Sequence, residues 1–248
     1  MEQEEVLLKE RYADKTEVVK FAGKVPVNIL LFRRHKHDFE NGWETEYLSK
    51  LCDTLKDGMV VFDIGAEEGE FTAMAAKIVG GKNVHIFEPS ESYWPNIKRL
   101  WEINDFDGVG GCFNGFVSDS TNEATMYNYD FKNWPDCSYG DIFYGTNQVI
   151  PGSGYYDKIS IDDYCQLNNL LPDVIMMDIE GAELMALRGC KQLLKYRSPI
   201  FFISVHNDSL MQERSNGVRE DLHNLFKDLG YSSLHINTDH EEHWMFSK

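Results

Sequence analysis

The chain has 248 residues, 42% hydrophobic and 13% aromatic, enough to bury one sizeable core, and a formal net charge of −17. Nucleic-acid affinity rests on Lys and Arg neutralising phosphates, so this acidity argues against DNA or RNA as a substrate. No apolar run reaches the roughly 18 residues of a membrane span, and the start, Met-Glu-Gln-Glu-Glu, lacks the basic and then apolar pattern of a signal segment; a soluble cytoplasmic protein is expected.

Residues 1–20 form a strongly charged stretch, expected to be a helical or loosely ordered lead-in. Residues 25–32 are apolar and β-prone, and residues 43–55 set Tyr47, Leu48, Leu51, Cys52 and Leu55 at helical spacing before a Lys-Asp-Gly turn. This predicts an N-terminal extension, 1–57, packed on a catalytic domain, 58–248. Residues 59–64 are a continuous apolar run, the pattern of a strand covered on both faces. A helix at 71–79, a strand at 83–87 and a helix at 93–103 follow, then a strand at 111–117, a strand at 174–178 with its helix at 182–194, and a strand at 200–205. Alternating strands and helices imply an α/β fold, a doubly wound Rossmann-like sheet that is mostly parallel. Two late strands, 232–236 and 242–246, close an antiparallel edge. Between the third and fourth units, residues 126–158 hold nine Tyr, Phe and Trp side chains with several glycines, the composition of an insertion: an ordered surface excursion, a substrate lid, or both.

The cysteines, Cys52, Cys112, Cys137, Cys165 and Cys190, are odd in number and never spaced C-x-x-C, so they read as reduced core thiols. His35 and His37 alternate in a charged stretch, and His240 to His243 reads H-E-E-H, not H-E-x-x-H, so neither pair is expected to form a structural metal site.

In open α/β sheets ligands sit beyond the carboxyl ends of the strands. The first core strand runs into Asp63-Ile64-Gly65-Ala66-Glu67-Glu68-Gly69, a D-x-G-x-x-x-G spacing that departs from the dinucleotide G-x-G-x-x-G. Its carboxylates would repel a pyrophosphate and suit a cation such as a sulfonium carrying an ammonium group. The second strand ends Phe87-Glu88-Pro89, where an acidic side chain can accept both hydroxyls of a ribose. Together the two motifs fit an adenosine without phosphates. The fourth strand ends Asp178-Ile179-Glu180-Gly181-Ala182-Glu183, clustering three carboxylates, although Glu180 and Glu183 would also favour a helix N-terminus by charge alone. The fifth ends Ser204-Val205-His206, which sets an imidazole beside that cluster if the fourth and fifth strands are neighbours.

In order, D-I-G-A-x-x-G-x-F, F-E-P, I-D-D-Y at 161–164, D-I-E-G-A-E and V-H, with H-W-M-F near the end as a weaker echo, resemble the FkbM-type methyltransferases. The resemblance implies a class I methyltransferase fold, S-adenosylmethionine as donor, and transfer to a hydroxyl, often on a sugar or another small metabolite. Carried over by position, Asp63, Gly65 and Gly69 line the methionine end of the cofactor, Glu88 the ribose, and Asn114, Gly115 and Phe116 the adenine. Ala66, Glu67, Phe71, Pro89 and Asp178 complete the expected cofactor set. Two positions depart from the family pattern: Glu67 stands where Asn is usual, and Ser204 where an acidic residue precedes the histidine.

An alcohol must lose its proton as it is methylated, which calls for a general base or a divalent cation. The candidates are Asp178 or His206 as base, and Asp178 with Glu180 as metal ligands. A nitrogen acceptor is disfavoured because D-I-E-G stands where nucleobase enzymes carry an N-P-P-Y-like tetrad. A rival of another class is a methyltransferase-like binding protein that has lost turnover. The expected partner is a small molecule or saccharide; the oligomeric state is tied to no motif.

Overall fold

The computed structural model describes residues 16–30, 42, 44–90, 93–122, 157–206, 218–239 and 241–248. All but the last two residues of the aromatic-rich stretch 126–158 therefore lie outside the described residues, as do residues 1–15 of the lead-in.

Residues 16–20, expected as part of the lead-in, belong instead to a hairpin. Strands β1 (Thr16–Phe21) and β2 (Val25–Leu30) pair antiparallel. Ala22 and Gly23 between them both have positive φ, and the Lys24 N–H donates to the Phe21 carbonyl at 2.9 Å. Two such residues match the right-handed twist of the flanking strands.

The core elements then run in chain order. They are helix α1 (Thr45–Thr54), strand β3 (Val61–Ile64), helix α2 (Glu70–Val79), strand β4 (Val84–Phe87), helix α3 (Trp94–Ile103) and strand β5 (Gly111–Phe113). Short strands β6 (Phe116–Val117) and β7 (Lys158–Ile159) pair with each other, and helix α4 (Ile161–Asn168) follows. Strand β8 (Val174–Met177), helices α5 (Glu183–Arg188) and α6 (Lys191–Tyr196), strand β9 (Ile200–Val205), helix α7 (Val218–Asp228) and strands β10 (Ser232–Thr238) and β11 (Glu242–Ser247) complete the described elements.

Among the described residues, seven strands form one sheet in the order β10-β11-β9-β8-β3-β4-β5. The five from β9 to β5 are parallel; β11 runs against both β9 and β10, so the antiparallel pair closes the edge and the reversed strand sits one place in from it. Successive side chains of a strand point to opposite faces, which divides the apolar strand residues between two cores. Val61, Val84, Ile86, Val174 and Met176 pack with Tyr47, Leu51, Ala73 and Trp94 of α1–α3. Phe62, Phe87, Ile175 and Met177 pack with Tyr164, Leu187, Leu193 and Leu222 of α4–α7. Every residue of β3, β4 and β8 is buried, Asp63 and His85 among them, as strands covered on both faces require. No helix among the described residues is long and apolar enough to cross a membrane.

Two expected elements are divided. The strand expected over 111–117 breaks after β5, because the Asn114 amide, oriented to satisfy both acceptors, donates to the carbonyls of Glu88 at 3.2 Å and Pro89 at 3.1 Å. The helix expected over 182–194 breaks between α5 and α6. There the Asp162 carboxylate accepts the N–H groups of Gln192 and Leu193 at 2.8 and 2.9 Å, capping a new helix N-terminus.

Candidate active site

The loop between β3 and α2 and the end of β4 form one unit. Gly65 and Ala66 donate their N–H groups to the Phe87 carbonyl, at 2.9 and 3.2 Å, and Gly69 donates back to Ala66 at 2.8 Å. The Glu88 carboxylate spans the unit: Oε2 accepts the Glu67 N–H at 2.8 Å and Oε1 the Ser90 N–H at 2.7 Å. Burial pushes its carboxyl up to about 8, against the pull of those two amides. Each oxygen keeps a further lone pair for a ligand hydroxyl.

The two loop glycines are required by the protein itself. A Cβ on Gly65 would lie 1.8 Å from the Asp178 carbonyl oxygen, and one on Gly69 would lie 2.9 Å from the Ile97 side chain, both at positive φ. Asp63 turns inward as well: it is buried and accepts a short hydrogen bond from Thr72, and burial raises its carboxyl to about 6. Phe71 is half-buried and sets its ring against Phe21 and Tyr47, in the core beneath the hairpin. Ala66 is buried, and Pro89 and Phe116 are half-buried. Gly115 lies against the Asp157 carbonyl, 2.4 Å from where a Cβ would be. Glu67 is exposed, at φ 47, and its carboxylate accepts from the Tyr93 hydroxyl at 3.2 Å. The Asn usual in the family adopts that backbone region more readily than Glu does.

Beyond β8 and β9 lies the second half of the site. The two strands pair in parallel with Met177 opposite Ile203, so Asp178 and His206 leave the sheet at the same end. His206 Nε2 lies 2.5 Å from Glu241 Oε2, 3.5 Å from Asp178 Oδ1 and 3.7 Å from Glu180 Oε2, while Nδ1 lies 3.3 Å from Glu183 Oε1. With carboxylates facing both nitrogens, the ring is held as an imidazolium. Burial pulls its pKa down, but the hydrogen bonds to Glu183 and Glu241 and the charge of Asp178 more than offset this and carry it to about 12. In that state His206 has no free nitrogen to take a proton, which leaves Asp178 as the better base of the two. Burial, then the neighbouring Glu241, hold the Asp178 carboxyl well above the ordinary carboxylate range.

Three residues of this cluster went unnominated in the sequence. The register Glu242↔Val205 between β11 and β9 brings the preceding Glu241 opposite His206. His243 pairs with Ser204, whose hydroxyl lies 3.0 Å from His243 Nδ1, while Nε2 lies 3.1 Å from Asp239. Buried Glu44, just before α1, lies with Glu241 and His243 as a third potential donor, and burial followed by the charges of Asp178 and Glu241 raises it to about 10. The available signal was H-E-E-H, whose Glu241 and His243 alternate as strand residues do.

The Methyltransferase FkbM domain model matches residues 63–233. Among solved structures, methyltransferase FkbM from Methylobacillus flagellatus KT is similar over 78% of this chain and 44% of that one, at 19% identity and a TM-score of 0.53, so this chain spans under half of that protein's length. Weaker similarity extends to precorrin-6y C5,15-methyltransferase from Geobacter metallireducens GS-15, at 9% identity and a TM-score of 0.45 over 83% of this chain and 88% of that one. A putative methyltransferase from Streptococcus mutans in complex with SAH aligns at 12% identity and a TM-score of 0.46, over 81% and 94%. No curated protein matches. With the motifs in order from Asp63 to His206 and a family model that covers well over half of the residues, the chain belongs to the FkbM methyltransferase family.

Proposed function

We propose that this chain is an S-adenosylmethionine-dependent O-methyltransferase that acts on a hydroxyl of a saccharide or another small metabolite. The observation that carries the reading is the contact between the two halves of the site. The Asp178 carbonyl packs directly on Gly65, so a ligand on the glycine loop and one on the Asp178 side chain would be immediate neighbours.

The residues present fit the cofactor. Glu88 offers lone pairs on both oxygens to the ribose diol, and the acidic surroundings, Glu67 and Asp178 among them, suit a sulfonium bearing an ammonium group. S-adenosylmethionine supplies an electrophilic methyl group for in-line displacement. The protein's share is to hold the acceptor oxygen opposite that methyl and to receive its proton. Asp178 in its ionised form would receive the acceptor's proton as the methyl group passes from sulfur to oxygen, and its raised carboxyl pKa would make it a stronger base than an ordinary carboxylate. The His206 ring, with Nε2 3.5 Å from Asp178 Oδ1, opposes part of that upward push by its positive charge.

The test is methyl transfer from labelled S-adenosylmethionine to a panel of sugars, polyols and small amines, with products identified by mass spectrometry. Methyl ethers are expected, with kcat falling about 100-fold or more in Asp178→Asn. Products methylated only on nitrogen would overturn the choice of acceptor.

A further inference from the structure

The side-chain oxygens of Asp178 and Glu241 and a ring nitrogen of His206 all lie within 4.8 Å of one another, each arriving from a different strand end or turn. His206 aims Nε2 at both carboxylates and turns Nδ1 to Glu183. A histidine with a carboxylate behind one nitrogen and a group of oxygen donors before the other has the arrangement that orients a metal-bound imidazole. Glu183 adds an independent observation. It is fully buried, its Oε1 is taken by His206 and by the Gly181 N–H at 3.0 Å, and its Oε2 has no hydrogen-bond partner among the described residues. A buried carboxylate that meets the ring through Oε1 alone is costly unless positive charge stands beside it, which a cation on Nε2 would supply through the ring.

We propose that Asp178, His206 and Glu241 bind one divalent cation, which takes the place of the His206 Nε2 proton and releases it to solvent, with Glu183 as the positioning residue behind His206. Bonds of about 2.1 Å to imidazole nitrogen and carboxylate oxygen would draw the three donors together from their present spacing. One nitrogen and two oxygens, with positions left open, suit manganese or zinc better than a purely oxygen-seeking ion. The expected metal set of Asp178 with Glu180 is thereby redrawn: Glu180 is the more exposed and more distant carboxylate, and Glu241 takes its place. The family's usual acidic residue at position 204 is likewise replaced in function, since Glu241 arrives from the turn before β11 while Ser204 bonds to His243. Bound there, the cation would act as a Lewis acid that lowers the pKa of an acceptor hydroxyl. Only that role rests on the methyl-transfer reading; binding does not.

The experiment is manganese titration of the purified chain, cleared of metal by chelation, followed by calorimetry and by electron paramagnetic resonance for nitrogen coupling. Expected are saturable binding near one ion per chain, a histidine nitrogen coupled to the manganese, and affinity weakened at least tenfold in His206→Gln and Glu241→Gln. Glu183→Gln, which keeps the side chain's size, should weaken binding less while the nitrogen coupling persists. Circular dichroism checks that each variant is folded. Absence of saturable binding by the folded native chain, or equal affinity in native and His206→Gln protein, overturns the proposal. S-adenosylhomocysteine binding measured with chelator present reports separately on the methyltransferase reading.

Discussion

Glu88 Oε2 accepts the backbone N–H of Glu67 at 2.8 Å, so the carboxylate expected to hold a ribose also ties down the glycine loop. That double duty has a pH signature. The Glu88 carboxyl moves from 4.5 to about 8 on folding, through burial first, with the Glu67 and Asp63 charges adding to it and the Ser90 and Glu67 amides opposing. A folded-state pKa above the unfolded one contributes stability that is fully present below pH 4.5 and lost as pH rises through about 8. Urea denaturation between pH 6 and 8 should show stability falling with a slope of about 1.4 kcal/mol per pH unit from this proton alone. Glu88→Gln should flatten that slope; an unchanged slope would mean the group titrates elsewhere.

Thr72 on α2 donates to Asp63, and both are buried. Thr72→Val keeps the shape and removes the donor, leaving a buried carboxylate short of one hydrogen bond. A loss of about 2 kcal/mol in chemical denaturation is expected. A change within ~0.5 kcal/mol would show that solvent already satisfies Asp63.

Gly65 and Gly58 both sit at positive φ, but only Gly65 has backbone where a Cβ would go. Gly58→Ala should cost about 1 kcal/mol, from backbone strain alone. Gly65→Ala should cost more than ~3 kcal/mol or prevent folding, because the Asp178 carbonyl oxygen cannot retreat without parting β3 from β8. Similar thermal midpoints for the two variants would contradict the packing of the two halves of the site.

Ser204→Ala removes the partner of His243 Nδ1 without touching His206. NMR of the histidine rings should show the His243 Nδ1 environment changed while Asp239 still holds Nε2, and the His206 resonances should stay where they are. A shift of both rings would mean that the two histidines titrate as one unit.

The sheet was legible because buried parallel strands leave continuous apolar runs, as at 59–64 and 200–205, and because glycine and acidic residues punctuate their ends. The first hairpin strand was not legible: six residues of mixed charge carry no strong alternation, and the Ala22-Gly23 turn that defines them is a weaker signal than Asn-Gly. The break between α5 and α6 was hidden because its cap comes from Asp162, on another helix. Asp178, Glu180 and His206 could be nominated from sequence because each ends a strand or begins the turn after it. Glu241 went unnominated because its nearness to His206 is set by strand register, and Glu44 because packing alone brings it to Glu241 and His243; local spacing is silent on both.

The most direct measurement is calorimetric titration of the native chain with S-adenosylmethionine and S-adenosylhomocysteine, alongside Glu88→Ala with its fold verified by circular dichroism. Saturable binding by the native chain, weakened at least tenfold in Glu88→Ala, is the expected result. A folded native protein that binds neither compound would contradict the methyltransferase reading of this site.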